Sequence, residues 1–112
     1  TNNDDITTVK YSQTTGINQV SAQTPVRFSL SQNYPNPFNP NTNLEFGLSK
    51  LGFVSLKIFN LLGKEIATLV NSELKPGYYI YDFNAGNLPS GIYFYKLTAG
   101  EFSETKKMNL IK

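Results

Sequence analysis

Apolar and polar side chains alternate with a period of two through much of the chain after residue 28. Leu44, Phe46 and Leu48 fall on one side of a strand, as do Val54, Leu56 and Ile58, and again Tyr93, Tyr95 and Leu97, with polar residues between most of them. No stretch keeps a helical period. The pattern predicts strands at 28–32, 43–48, 53–60, 64–70, 78–83, 92–98 and 102–111, seven in all. That number and spacing predict an all-β fold, a seven-stranded immunoglobulin-like antiparallel β-sandwich. Two of the strands break the alternation: Ile80, and Ile92 with Phe94, add apolar side chains to the second face. Such strands are either covered on both sides or leave an apolar stripe, and that stripe is the place to look for a partner.

The punctuation between strands has a mechanism. Leu61-Leu62-Gly63 fits a three-residue hairpin connection whose last residue is left-handed, and Thr98-Ala99-Gly100 looks like the same device. Pro76-Gly77 and Pro89-Ser90-Gly91 stand just before strands, where a proline removes no ladder donor that is needed. The segment Asn33-Tyr34-Pro35-Asn36-Pro37-Phe38-Asn39-Pro40-Asn41 predicts a stiff, extended corner, with Tyr34 and Phe38 plugging the open end of the sandwich.

Composition divides the chain at Arg27. Residues 1–27 are dominated by Thr, Asn, Gln and Ser, with Tyr11 the only aromatic, whereas the other fourteen Phe and Tyr lie in residues 28–112. The first part reads as an extended polar N-terminal tail or linker and the second as the domain. If the tail is ordered, 6–11 is the run to expect as an added strand, on its own domain or on a neighbour's. The start at Thr1, without the charged beginning and apolar centre of a secretory signal, is that expected of a processed or excised piece.

Charge and chemistry narrow the functions. The chain has 112 residues, no Cys and no His, so thiolate chemistry is impossible and the commonest general acid/base and metal ligand are missing. Serine or threonine would need a Lys or carboxylate base, and Ser90 has none nearby in sequence, so no enzyme and no cofactor are expected. A net charge of +2 from scattered residues implies no nucleic-acid or anionic-membrane footprint, and no apolar run is long enough to span a bilayer. Asp82 and Glu45 with the asparagines raise calcium, but the spacing matches no loop motif and a proline-built corner is preferred. Tyr78, Tyr79, Tyr81, Tyr93 and Tyr95 raise a carbohydrate platform, but in paired strands they are better read as core and cross-strand packing.

The run Phe28-Ser29-Leu30-Ser31-Gln32-Asn33-Tyr34-Pro35-Asn36-Pro37-Phe38-Asn39-Pro40-Asn41-Thr42 resembles the opening signature of the type A C-terminal sorting domains of the type IX (Por) secretion system. Residues 53–63, Pro76-Gly77-Tyr78, Leu88-Pro89-Ser90-Gly91-Ile92-Tyr93 and the closing Lys106-Lys107-Met108-Asn109-Leu110-Ile111-Lys112 follow in the family's order, so the resemblance covers 28–112. It implies an export address, secreted or carried to the cell surface through the periplasm and outer membrane, with cargo upstream. The partners it implies are the outer-membrane type IX translocon and a sortase-like peptidase that cuts in the tail before Phe28. Carried over position by position, recognition falls to Lys106, Lys107, Met108, Leu110, Ile111 and Lys112, and the structural turn glycines are Gly63, Gly77, Gly91 and Gly100. Phe83 stands where the family often has Trp, and Asn60 where an Asp is frequent. The bland reading of Lys106 and Lys107 is a pair protecting a terminal strand edge; the functional one is capture of that strand by edge addition.

Two other readings stand beside this one. The first is a structural subunit of an extracellular fibre, in which the tail or last strand self-associates with the next copy. The second is an accessory carbohydrate-binding module, which requires coplanar, exposed tyrosines.

Overall fold

The structure, a computed structural model, describes residues 17–21 and 23–111. Among them there is no helix; eight strands form two antiparallel four-stranded sheets. They are β1 (Ile17–Ser21), β2 (Ser29–Leu30), β3 (Asn41–Leu48), β4 (Gly52–Asn60), β5 (Glu65–Leu74), β6 (Gly77–Asn84), β7 (Gly91–Ala99) and β8 (Phe102–Leu110). One sheet has the order β1-β6-β3-β2 and the other β5-β4-β7-β8.

The count of seven is therefore corrected to eight. The additional strand, β1, comes from the polar stretch assigned to the tail, and it pairs antiparallel with β6, Ile17 opposite Tyr81 and Ser21 opposite Tyr78. Four of its five residues are polar or exposed, so alternation could not reveal it. It gains its place from main-chain bonds to a strand already formed, with only Ile17 packing against the core. The run 6–11, expected as an added strand, lies outside the described residues.

The alternation itself holds. Leu44, Phe46, Leu48, Val54, Leu56, Ile58, Tyr95 and Leu97 are all essentially buried and belong to one core. Each apolar side chain so enclosed contributes roughly 1.5–3 kcal/mol. Phe46 and Tyr79 stack within one sheet, with ring centroids 5.4 Å apart. Phe38 reaches the core from the Asn-Pro segment and meets Phe83 at 6.3 Å. The companion plug is corrected: Tyr34 is 79% exposed. Its backbone, not its ring, is what the fold uses, bonded both ways to Asn43.

Two short loops enter strands by the same device. Tyr79 Oη donates to the Lys75 carbonyl and Tyr93 Oη to the Pro89 carbonyl, each at 2.7 Å and each four residues upstream. In both, a glycine stands two residues before the tyrosine, Gly77 at φ 148° and Gly91 at φ 151°. A Cβ at Gly77 would also run into the Gln19 side chain and lie 2.7 Å from the Ser21 carbonyl, so this glycine lets β1 approach β6.

At the β4–β5 hairpin, Gly63 takes φ 86°, as its turn required. Asn60 Oδ1 accepts from the amides of Leu62 and Lys64, both at 3.0 Å, so the amide side chain caps the turn in place of a carboxylate. The β7–β8 connection is tighter than the three-residue form expected. Ala99 faces Phe102 across Gly100-Glu101 alone, with Gly100 at φ 61°.

Candidate recognition surface

Among the strands of the described residues, the last, β8, is an edge strand whose one neighbour is β7. Its alternation puts Met108 and Leu110 inward, 0% and 1% exposed, and turns Lys107 and Asn109 outward. Two of the six carried-over recognition positions are thus core residues that anchor the strand. Lys106 also points to the inner side, near the open margin of the sandwich, where its ammonium sits 3.0 Å from the Glu104 carboxylate. A charge turned inward on an edge strand discourages a second strand from adding there. That leaves Lys107 and Ile111 presented to solvent; Lys112 lies outside the described residues.

What sequence reasoning missed is that the opening signature and the closing strand are one structure. Four hydrogen bonds join them along the outer edge of β8. Gln32 Nε2 donates to the Lys107 carbonyl at 2.7 Å, and Asn36 Oδ1 accepts from the Asn109 amide at 3.0 Å. The Phe38 amide donates to the Asn109 carbonyl, and the Ile111 amide to the Phe38 carbonyl, both at 2.9 Å. The Phe38–Leu110 bridge is parallel, so the Asn-Pro segment acts as a short ninth element laid along the edge. Prolines on either side suit it to this position, because an edge-covering segment needs donors on one side only.

The cover is built from its own side chains. Asn33 is 2% exposed, and its Nδ2 donates to the Pro35 carbonyl and to Thr42 Oγ1, while its Oδ1 accepts from Gln32. Thr42 Oγ1 in turn donates to the Pro35 carbonyl at 2.9 Å. Each buried polar group is thereby satisfied. Tyr95 ties the cover to the core, its hydroxyl donating to the Ser31 carbonyl at 2.6 Å. Burial pushes that phenol up to about 12, Glu104 adds to the rise, and a backbone bond at Asn33 partly offsets it.

The rest of the β8 edge is different. Towards the β7–β8 turn no covering hydrogen bonds join β8 to the cover segment, and β2 passes close by while pairing only with β3. Phe28 stacks on Phe102 at 5.6 Å across this opening. The five candidate tyrosines do not form an exposed platform: Tyr79, Tyr93 and Tyr95 are buried and Tyr81 half-buried, which leaves Tyr78 alone exposed.

The sequence model of the family described as the secretion system C-terminal sorting domain matches residues 32–112. This chain belongs to that family, the C-terminal sorting domains of type IX secretion. The matched stretch starts at Gln32, the first residue that bonds to the last strand, and takes in the whole of that strand. No curated protein matches the chain. Membership implies dealings with the type IX secretion machinery and a protein that is secreted or held at the cell surface.

Proposed function

We propose that this sorting domain is a non-catalytic export address, read as a folded sandwich by the outer-membrane type IX translocon, after which a sortase-like peptidase separates it from cargo upstream. The observation that carries the reading is the seam itself. The opening signature and the last strand, more than seventy positions apart, are bonded into one edge by Gln32, Asn36 and Phe38. A receptor that meets this edge meets both sequence blocks at once. In this reading Lys107 and Ile111 make contact, Lys106 is held by Glu104, and Met108 and Leu110 keep the strand in place. Because β1 belongs to the sheet, the cut expected in the tail before Phe28 falls upstream of Ile17. The plan without β1 is a seven-stranded sandwich of immunoglobulin-like type.

The fibre reading drew on a tail entering a neighbour. Ile17–Ser21 folds back on its own β6 instead, and half of the β8 edge is already covered, so strand donation has less to work with.

The test is export of a reporter fused to the N-terminus of the full chain in a type IX-competent host. Deleting the last seven residues would remove Met108 and Leu110 from the core and confuse folding with reading. The informative variant is Lys107→Glu with Ile111→Ser, which changes only presented side chains. Export of the parent fusion, with the folded variant retained in the periplasm, supports the reading; a parent fusion that never reaches the surface overturns it.

A further inference from the structure

The outer face of the second sheet, turned away from the core, carries a composition the seam does not explain. Register places Phe59 opposite Phe94 and Phe94 opposite Lys107, and in the next row Lys57 opposite Lys96. Ile92 continues the apolar line towards the start of β7. Phe59, Ile92 and Phe94 are half-buried although they lie on the solvent side, so they form the apolar stripe that the broken alternation of β7 foreshadowed.

Two lysines directly opposite on neighbouring strands repel each other, and the sheet offers them unequal relief. Lys57 leans to β5, where its ammonium is 3.4 Å from Glu65. The Thr68 hydroxyl and then Lys57 hold the Glu65 carboxyl below its usual value. Lys96 and Lys107 have no acidic partner among the described residues. The result is an apolar stripe flanked on its β7–β8 side by two unpaired cations and bounded on its β5 side by Glu65.

We infer that this face is a second docking surface of the sorting domain, and that its occupant is an acidic segment of a protein partner, laying apolar side chains over Phe94 and carboxylates against Lys96 and Lys107. Charge complementarity selects this occupant. An evenly anionic lipid surface would be attracted along one margin and repelled by Glu65 and Glu73 along the other, and the net charge of +2 gives it little long-range pull. A protein surface can place carboxylates on one side only. The inference rests on the sorting reading and adds the chemistry of the partner.

The test uses the full-chain reporter fusion with substitutions on β7, away from the last strand. Lys96→Glu and Phe94→Ser should each lower export by about tenfold or more, since a like charge or a lost apolar anchor at such a contact is costly. A Lys50→Glu, Lys75→Glu control should be exported like the parent, with all proteins melting as folded domains. A photo-crosslinking p-benzoylphenylalanine at position 94 should join the domain to a separate polypeptide during export. Parent-level export of both β7 variants overturns this inference and leaves the sorting reading intact. Failure of the parent fusion overturns both. Crosslinking to a second copy of the chain, or binding to phosphatidylglycerol–phosphatidylcholine vesicles that Lys96→Glu abolishes, also overturns it, in favour of self-association or a lipid surface.

Discussion

The two edges of the second sheet solve one problem in opposite ways. β5 is ten residues long and, among the described residues, pairs only with β4 and has no strand laid along its outer side. It is interrupted twice: register shifts between Leu56 and Lys57 and between Ile58 and Phe59 leave Leu69 and Ile66 as extra residues on β5. Bulges of this kind twist an edge and spoil it as a template. β8 runs nine residues in unbroken register with β7 and is guarded instead by a separate piece of chain, the Asn-Pro segment, and by the inward Lys106–Glu104 pair. A bulge is local and permanent, whereas a cover leaves a regular strand beneath it and brings its own side chains to the surface. The regular, covered edge is the one that the proposed function assigns to a receptor.

The sharpest way to break the contrast is to remove the cover's anchor. Phe38→Ala should cost about 3–5 kcal/mol, the range for emptying a buried aromatic site, seen in urea unfolding. Hydrogen exchange at Asn109 and Ile111 should rise with it while the β4–β5 ladder keeps its protection. The β5 side has a smaller counterpart. Gly63→Val meets no steric obstruction within 4 Å, so its cost is conformational, about 1–3 kcal/mol for a β-branched residue at φ 86°, and exchange should increase in the β4–β5 hairpin and not at β8.

Tyr95→Phe should cost about 1 kcal/mol by leaving the Ser31 carbonyl without its donor. It should also change the pH profile. The Tyr95 phenol titrates near 12 in the folded protein against 10 in the unfolded chain, so its contribution is complete below pH 10 and is lost as pH rises from 10 to 12. Urea midpoints measured across that window should fall less steeply in Tyr95→Phe, with a residual slope from Tyr79 and Tyr81, which burial also raises. Asn36→Ala should have the smallest effect, a few tenths to about 1 kcal/mol, confined to faster exchange at Asn109. Faster exchange throughout the sheet would mean that the cover and the strand are one cooperative unit.

Much of this architecture is legible in the chain. The faces of β3, β4 and β7 follow from alternation, because strand geometry is local and a period of two survives any tertiary arrangement. The Gly63 hairpin and the repeated glycine-to-tyrosine spacing at Gly77–Tyr79 and Gly91–Tyr93 are local for the same reason. β1 was not legible: five mostly polar residues carry no periodic signal, and what orders them is the free side of β6. Nor was the exposure of Tyr34, whose ring and backbone serve opposite purposes.

The candidate recognition surface divides along the same line. By itself the sequence determined the all-β class, the faces of β3, β4 and β7, the Gly63 turn, and the two blocks of residues that mark the family, since each depends on neighbours a few positions away. Only the tertiary structure decided that Gln32, Asn36 and Phe38 lie on the last strand, that Met108 and Leu110 are anchors while Lys107 is presented, and that Lys57 and Lys96 share a row. Those facts depend on pairings between segments far apart in the chain. Such pairings are settled by the register of whole strands and by which edges remain open, and no local pattern carries that information.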